Sequence, residues 1–292
     1  MIPPHTDGRI YHVPVHSLSA YGMFYNKRVL ERLGIDPPRD WDELLNLVEL
    51  ANEHGVAAIG LGNMDRWEGD LLYNMLVMRQ DVNAFRNAMA GTASFTDEPF
   101  LEAARQVATL VEMDAFQRGY MRHSTNEVLE MFRADMIAIY NIGPWMLATF
   151  SGEEFGDFTG FTYFPKTGRE DPVTSTMSAS NDEGLVVASS SDVANEAARF
   201  IIEYARVVND SRVEAGLAPF MYTDVQPPAD RHPMLVIYDE MLSQFQDTQL
   251  WWFSAVEAVL GEPMRDLSHQ QFAGEIDPYA FVEELAAVMV PR

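Results

Sequence analysis

Trp145 is the residue whose type and position best suit ligand binding. It stands in the run MFRADMIAIYNIGPWMLATF, where a helix end is followed by a buried strand, a turn and the start of another helix. In α/β folds, ligands bind just beyond the carboxyl edge of such strands. An indole at that edge offers a flat apolar face that matches the C–H face of a sugar ring. The pattern alone leaves open the alternative that Trp145 only fills the core.

Two further tryptophans are candidates for the same kind of stacking. Trp67 lies in the polar run MDRWEGD, which leads into a predicted helix, and it also suits an ordinary core anchor. Trp251 and Trp252 are adjacent, and neighbouring residues on a helix point about 100° apart. One of the pair is therefore expected in the core and the other at the ligand cleft. We assign the cleft position to Trp252.

A ligand rich in hydroxyl groups also needs polar side chains that donate and accept hydrogen bonds. Several such side chains stand close in sequence to the aromatic candidates or to the strands that precede them. Each one alone suits a solvated loop or a helix cap equally well, so only their grouping indicates a site. The candidates are Ser17, Ser19, Asp65, Asn141 and Asn181.

The composition and the motifs exclude several other kinds of chemistry. The chain has no cysteine, so disulfides, thiolate catalysis and Cys-ligated metals are excluded. His12 and His16 would lie about 13 Å apart on a strand, too far to share one ion, and we expect no metal. Neither a nucleophile elbow nor a phosphate-binding glycine loop is present, so no cofactor is expected. The formal net charge of −24 opposes binding to nucleic acid.

Capping signals and hydrophobic periodicity predict the elements that position these residues. The run YGMFYNKRVLERLGIDPPRDWDELL is typical of a strand, a helix capped by Asn26 and ended by Gly34, a proline turn and a second capped helix. Ser124 and Glu127 predict a capping box. A further helix is predicted over Leu250–Leu260. Because strands alternate with helices, we predict an α/β fold with a largely parallel sheet.

The same run resembles the YNK…G…PP.TWDEL signature of the solute-binding proteins of ABC sugar importers. NIGPW is similar to the NGPW segment of the maltose/maltodextrin-binding proteins in this family, family 1. FPKTGREDP, GLVVASSSDVANEAARFIIEYA and EIDPYAFVEELAAVM follow in the family's order. The resemblance implies a type II periplasmic-binding-protein fold, in which two α/β lobes close around the ligand.

The resemblance also implies a function and roles for particular residues. It implies an extracytoplasmic, non-catalytic protein that binds a sugar or oligosaccharide and delivers it to an ABC transporter permease. In the family, the tryptophan matching Trp145 stacks on the sugar, and aromatic residues often occur at the points matching Trp67 and Trp252. The segment matching Ser17 and Ser19 holds a hinge and a ligand contact. We expect a monomer. A glycan-processing enzyme and a sensory ligand-binding module are the alternatives.

The order of the family segments departs from the family pattern at one point. DGRIYHVPV begins almost at Met1, whereas its counterpart normally follows most of the first lobe. We therefore expect an incomplete N-terminal lobe made of residues 1–17 and 184–228, and a C-terminal lobe made of residues 18–183 and 229–292. The elements after Gly184 would then lack partners and expose apolar surface. No signal peptide or membrane-spanning run is predicted.

Overall fold

Short strands and mostly longer helices alternate along the chain. The computed structural model describes residues 11–15, 19–168, 176–180, 184–245, 247–252, 256 and 258–289. The strands in chain order are β1 (Val13–Pro14), β2 (Ser19–Ala20), β3 (Met23–Asn26), β4 (Ala57–Gly60), β5 (Ile137–Tyr140), β6 (Thr159–Thr162), β7 (Thr176–Ser180), β8 (Gly184–Leu185) and β9 (Asp247–Leu250). The helices are α1 (Lys27–Leu33), α2 (Trp41–Glu53), α3 (Trp67–Gln80), α4 (Ala84–Met89), α5 (Glu98–Glu112), α6 (Thr125–Arg133), α7 (Leu147–Phe150), α8 (Ala194–Glu214), α9 (Pro233–Gln244), α10 (Ala258–Phe272) and α11 (Pro278–Met289).

The central sheet has the strand order β4-β5-β3-β6 and is mixed. β4 and β5 are parallel, whereas β3 is antiparallel to both of its neighbours, β5 and β6. The prediction of a largely parallel sheet is therefore wrong. The alternation of strands and helices predicts crossovers between successive strands. The alternation does not determine the direction of β3, because β3 lies between β5 and β6, which are more than a hundred residues away in the chain.

Local capping signals, by contrast, act as predicted. The Asn26 side-chain oxygen accepts hydrogen bonds from the backbone N–H groups of Arg28 (3.0 Å) and Val29 (3.2 Å) at the start of α1. Gly34 ends that helix in the left-handed region, with φ of 73°. Ser124 and Glu127 form the predicted capping box of α6. These three predictions are confirmed because each depends only on residues within one turn of the helix end.

The helix predicted over Leu250–Leu260 is wrong at its first residue. Leu250 ends β9 (Asp247–Leu250), which pairs in parallel with β7, whereas Trp252 and the residues from Ala258 onwards are helical. Leu250 belongs to β9 because Thr176–Ser180, about 70 residues earlier in the chain, pairs with Asp247–Leu250, and local periodicity does not contain that partner.

Helix α3 lies in the middle of the core. Every residue from Glu68 to Arg79 is buried, and α3 packs against α4, α5 and α10. The larger hydrophobic cluster is built mainly on α2, α3, α5, α10 and α11, and the smaller one lies around α6, α7, α9 and β6. A helix that is buried on all sides must pair its polar side chains inside the protein. This constraint explains the contacts of Glu68 and Asp70 described below.

Helix α8 exposes an apolar face, as expected for the elements after Gly184. Phe200 and Val207 are 68% and 64% exposed, and the Phe200 ring stacks on Tyr204. Val186, just after β8, is also exposed. Burying such side chains elsewhere in the protein would stabilise each by about 1.5–3 kcal/mol. The apolar surface predicted for this segment is therefore present.

Strand β1 pairs with β8, and α8 packs against β1. The segments grouped in this way belong to the predicted N-terminal lobe, although the division of the chain into two lobes stays a prediction. Among the described helices, none combines the length and the hydropathy needed to cross a membrane.

Candidate functional site

Four aromatic side chains, Tyr21, Trp67, Trp145 and Trp251, meet in what we call the aromatic cluster. The ring centroids of Trp67 and Trp145 lie 5.7 Å apart, and those of Trp67 and Trp251 lie 6.3 Å apart. Tyr21 packs edge-on against Trp145 and Trp251. Tyr21 and Trp251 are buried, whereas Trp67 and Trp145 are only partly buried. The cluster therefore presents indole surface to solvent on a rigid aromatic base.

The turn after β5 positions Trp145. Pro144–Met146 form a single 3₁₀ turn beyond the strand's carboxyl end, and β2 lies beside that turn. The indole folds back over the backbone of Gly143, where a Cβ atom would overlap the ring. Glycine is therefore required for this ring position. The predicted placement of Trp145 at the carboxyl edge of a buried strand is confirmed.

Trp67 is positioned by the residue that precedes it. Arg66 adopts the left-handed backbone region, with φ of 67°, directly before the first turn of α3. A residue other than glycine in this region costs about 1 kcal/mol or more, so the surrounding structure must hold it there. The Arg66 guanidinium forms ion pairs with Glu262 and Asp266 on α10. These contacts tie the start of α3, and with it Trp67, to α10.

The structure buries both adjacent tryptophans, so the expectation that only one of them lies in the core is wrong. Trp252 is 1% exposed and packs against Tyr73, Phe85 and Phe100 in the core, so its assignment to the cleft is wrong. Trp251 joins the aromatic cluster instead. Sequence reasoning missed Trp251 and Tyr21. Helix geometry indicated that two adjacent residues point in different directions. It contained no signal for which of the two tryptophans packs against the other rings of the cluster.

Asp70 explains where the two tryptophans lie. Its carboxylate is fully buried and accepts the indole N–H of Trp251 on Oδ2 (3.1 Å) and that of Trp252 on Oδ1 (2.8 Å). Burial raises the pKa of Asp70 to about 7, while the two indole N–H groups and the charge of Arg265 act in the opposite direction. The sequence signal for this role is an acidic residue inside an otherwise apolar helix.

Glu68 is a second fully buried carboxylate on α3. It accepts hydrogen bonds from the Gly62 backbone N–H (2.6 Å), the Thr125 hydroxyl (2.6 Å) and the Tyr140 hydroxyl (3.0 Å). Burial raises its pKa to about 7, although these hydrogen bonds favour the ionised form. Glu68 thus joins the loop before α3 to the start of α6 and the end of β5.

The raised pKa of Glu68 predicts a pH-dependent stability. In the unfolded chain this carboxyl ionises near its ordinary pKa of 4.5, whereas in the folded protein it stays protonated up to about pH 7. The folded state therefore binds more protons over this range, and its free energy of unfolding falls as pH rises from about 4.5 to 7. Glu68→Gln should remove about 3 kcal/mol of that fall. Urea unfolding of both proteins at pH 5 and pH 8 measures it, and identical pH dependences would contradict it.

The polar residues predicted to contact the ligand differ in burial and in hydrogen bonding. Asn141 directly follows β5, is 5% exposed, and its side-chain Nδ2 has no hydrogen-bond partner among the described residues. Asp65 is exposed at the end of the 3₁₀ turn that precedes Trp67. The backbone of Ser19 pairs with that of Ser180 between β2 and β7. Ser17 and Asn181 lie outside the described residues. A binding role for each of these five residues stays a prediction.

The described residues bring no three His, Asp or Glu side chains together in a way that could hold a metal ion. Glu68 and Asp70, the two acids with strongly raised pKa values, are fully buried, and each of their oxygens accepts a hydrogen bond from the protein itself. The chemistry that this region offers is therefore apolar stacking on indole rings, together with the buried amide of Asn141.

Comparison with known proteins identifies the family. The profile of the bacterial extracellular solute-binding proteins matches residues 2–206. This chain belongs to that family. One relative is the multiple sugar-binding protein of Streptococcus mutans serotype c, 23% identical over 168 residues, which are 55% of this chain and 40% of the relative. Alignments with curated relatives cover between 25% and 40% of those proteins' lengths.

Two solved structures share the fold of this chain. A structure from work on xylan utilization by the thermophilic bacterium Caldanaerobius polysaccharolyticus matches with a TM-score of 0.88 and 24% identity, over 97% of this chain and 74% of that one. A chitin oligosaccharide binding protein matches with a TM-score of 0.85 and 21% identity, over 97% of this chain and 72% of that one. The predicted α/β, type II periplasmic-binding-protein fold is confirmed.

Proposed function

We propose that this extracellular solute-binding protein binds an oligosaccharide on Trp67, Trp145 and Trp251. The observation that carries the proposal is the aromatic cluster, in which two partly exposed indoles lie 5.7 Å apart at the carboxyl end of a buried strand. The Trp67 ring is tilted by 55° to that of Trp145 and by 60° to that of Trp251. A ligand seated on the cluster meets apolar rings at more than one angle, which suits a sugar with two C–H faces.

Asn141 supplies the polar contact in this proposal. A buried amide N–H without a partner costs about 1–3 kcal/mol, and a ligand hydroxyl oxygen would remove that cost. Asn141 stands four residues before Trp145, at the end of the same strand. Stacking and a hydrogen bond to a hydroxyl group together recognise a sugar better than a purely apolar ligand.

The names of the compared proteins support the same ligand class. One is a multiple sugar-binding protein and another a chitin oligosaccharide binding protein. We therefore propose that the protein acts outside the cytoplasm, as a monomer, and delivers its sugar to the permease of an ABC importer. The compared proteins are solute-binding proteins, and we propose binding without catalysis. The complete hydrogen bonding of Glu68 and Asp70 supports this, because neither carboxylate offers a free oxygen for acid–base chemistry.

Calorimetric titration with xylo-, chito- and malto-oligosaccharides of one to four units tests the proposal. We expect saturable binding that is tighter for the oligosaccharides than for the single sugars, because more rings can stack. A reducing-end assay on the same mixtures should detect no new ends. New reducing ends would identify a glycan-processing enzyme instead, and the absence of binding across the panel would overturn the proposed ligand class.

A further inference from the structure

We propose that Asp70 is a positioning residue of the ligand site: by accepting both indole N–H groups, its buried carboxylate fixes the Trp251 ring against Trp67 and Tyr21, with Trp252 as the second anchor. The inference rests on the proposed function, because it takes Trp251 to be one of the residues that contact the ligand. The contact between Asp70 and the two indoles, however, belongs to the protein without ligand and is open to a direct test.

Trp252, which donates to one oxygen of Asp70, is held rigidly in the core. The Trp252 ring lies parallel to Phe100, with an interplanar angle of 4°, and 5.1 Å from the Tyr73 ring, and its indole N–H donates to Asp70 at 2.8 Å. Its side chain is 1% exposed. Asp70 is held from this side by a group that cannot move without opening the core.

The other oxygen of the same carboxylate sets the orientation of Trp251. Its indole N–H lies 3.1 Å from Asp70 Oδ2, and its ring lies 6.3 Å from both Trp67 and Tyr21. Ring packing alone leaves an indole free to turn over, whereas a bond from its single N–H group fixes which edge points inward. Asp70 therefore determines which face and edge of Trp251 meet the other rings.

An ionised carboxylate accepts on each oxygen and so serves both indole N–H groups at once. A protonated carboxyl carries its proton on one of these two oxygens, and an amide places an NH₂ donor there, so either change weakens the contact with one indole. The charged group that faces Asp70 from a neighbouring element is Arg265 on α10, which favours the ionised form. Tyr73 on α3 itself donates to the Phe100 carbonyl at 2.8 Å. Since burial raises the pKa of Asp70 to about 7, acidification below neutrality should weaken the hydrogen bond from one indole.

The first test needs no ligand and no substitution at Asp70. In the ¹⁵N-labelled native protein, the indole N–H signals of Trp251 and Trp252 should shift together, with a midpoint near pH 7. Trp251→Phe and Trp252→Phe variants assign the two signals. Glu68→Gln is the matched control, because Glu68 is a buried acid on the same helix that does not contact the indoles, and both shifts should persist in it. Indole signals of Trp251 and Trp252 that shift with different midpoints, or that stay constant from pH 3 to pH 9, would overturn the inference.

The second test links Asp70 to the ligand through a double-mutant cycle. With triacetylchitotriose and xylotriose as probes at pH 8, Asp70→Asn and Trp251→Phe should each weaken binding about tenfold. The double variant should bind no more weakly than either single variant, because both changes remove the same interaction. Losses that multiply, or an Asp70→Asn variant with native affinity, would overturn the inference. If neither probe nor any other oligosaccharide of the panel binds the native protein, the proposed ligand class fails, and the indole titration alone decides the role of Asp70.

Discussion

Trp145→Ala is expected to weaken oligosaccharide binding at least about thirtyfold, which corresponds to roughly 2 kcal/mol. Trp145 stands at the carboxyl end of β5, is partly exposed, and contacts both Trp67 and Tyr21. Removing its ring deletes a stacking surface and leaves Trp251 as the remaining tryptophan beside Trp67. Calorimetric titration of the variant with the best oligosaccharide of the panel measures the loss.

The matched control for this variant is Trp41→Phe, which changes a partly buried tryptophan at the start of α2, outside the aromatic cluster. Its affinity should equal that of the native protein. Because Trp145 is only partly buried, Trp145→Ala should lose less stability than an alanine substitution of a fully buried tryptophan. An alanine variant that is folded and binds with native affinity would remove Trp145 from the site.

Trp252→Ala is expected to have the largest effect on stability, a loss of about 3–5 kcal/mol in the free energy of unfolding. The ring is fully buried against Tyr73, Phe85 and Phe100. Its removal leaves a large cavity and takes one of the two indole donors from the buried Asp70 carboxylate. Urea denaturation at pH 7 measures the change.

Trp252→Phe is the conservative partner of that variant. It keeps most of the ring volume and loses only the N–H group, so we expect a loss of about 1–2 kcal/mol. A Trp252→Ala protein that is as stable as Trp145→Ala would mean that Trp252 is not a core residue. The two alanine variants therefore separate binding from stability: one lowers affinity and the other lowers stability.

The features that the sequence predicts correctly are those set by local chemistry. Asn26, Gly34 and the pair Ser124 and Glu127 were identifiable because a helix cap involves residues only two to four positions apart. The position of Trp145 followed for the same reason, since a buried strand, a turn and a helix start are contiguous in the chain. The family resemblance added the fold.

The features that the sequence does not predict depend on distant partners. The direction of β3 is set by its pairing with β5 and β6, more than a hundred residues away. Helix α3 is buried on all sides because α4, α5 and α10, which follow it in the chain, pack around it. No window of local sequence contains these constraints.

The choice between Trp251 and Trp252 shows the same limit at the site itself. The two residues are chemically identical neighbours, and what distinguishes them is the packing around Trp252 and the position of Asp70, which lies more than 180 residues earlier in the chain. An acidic residue followed by the apolar residues of α3 could have drawn attention to Asp70. Its two indole partners could not have been identified without the tertiary structure.

The most direct test of the aromatic cluster as a sugar site is an NMR titration of the indole N–H signals with the best oligosaccharide. The five tryptophans give five separate signals. We predict that the signals of Trp67, Trp145 and Trp251 shift in a saturable way and that the signal of Trp41 does not move. Saturable binding with those three signals unchanged would contradict the account, because the sugar would then be bound elsewhere on the protein.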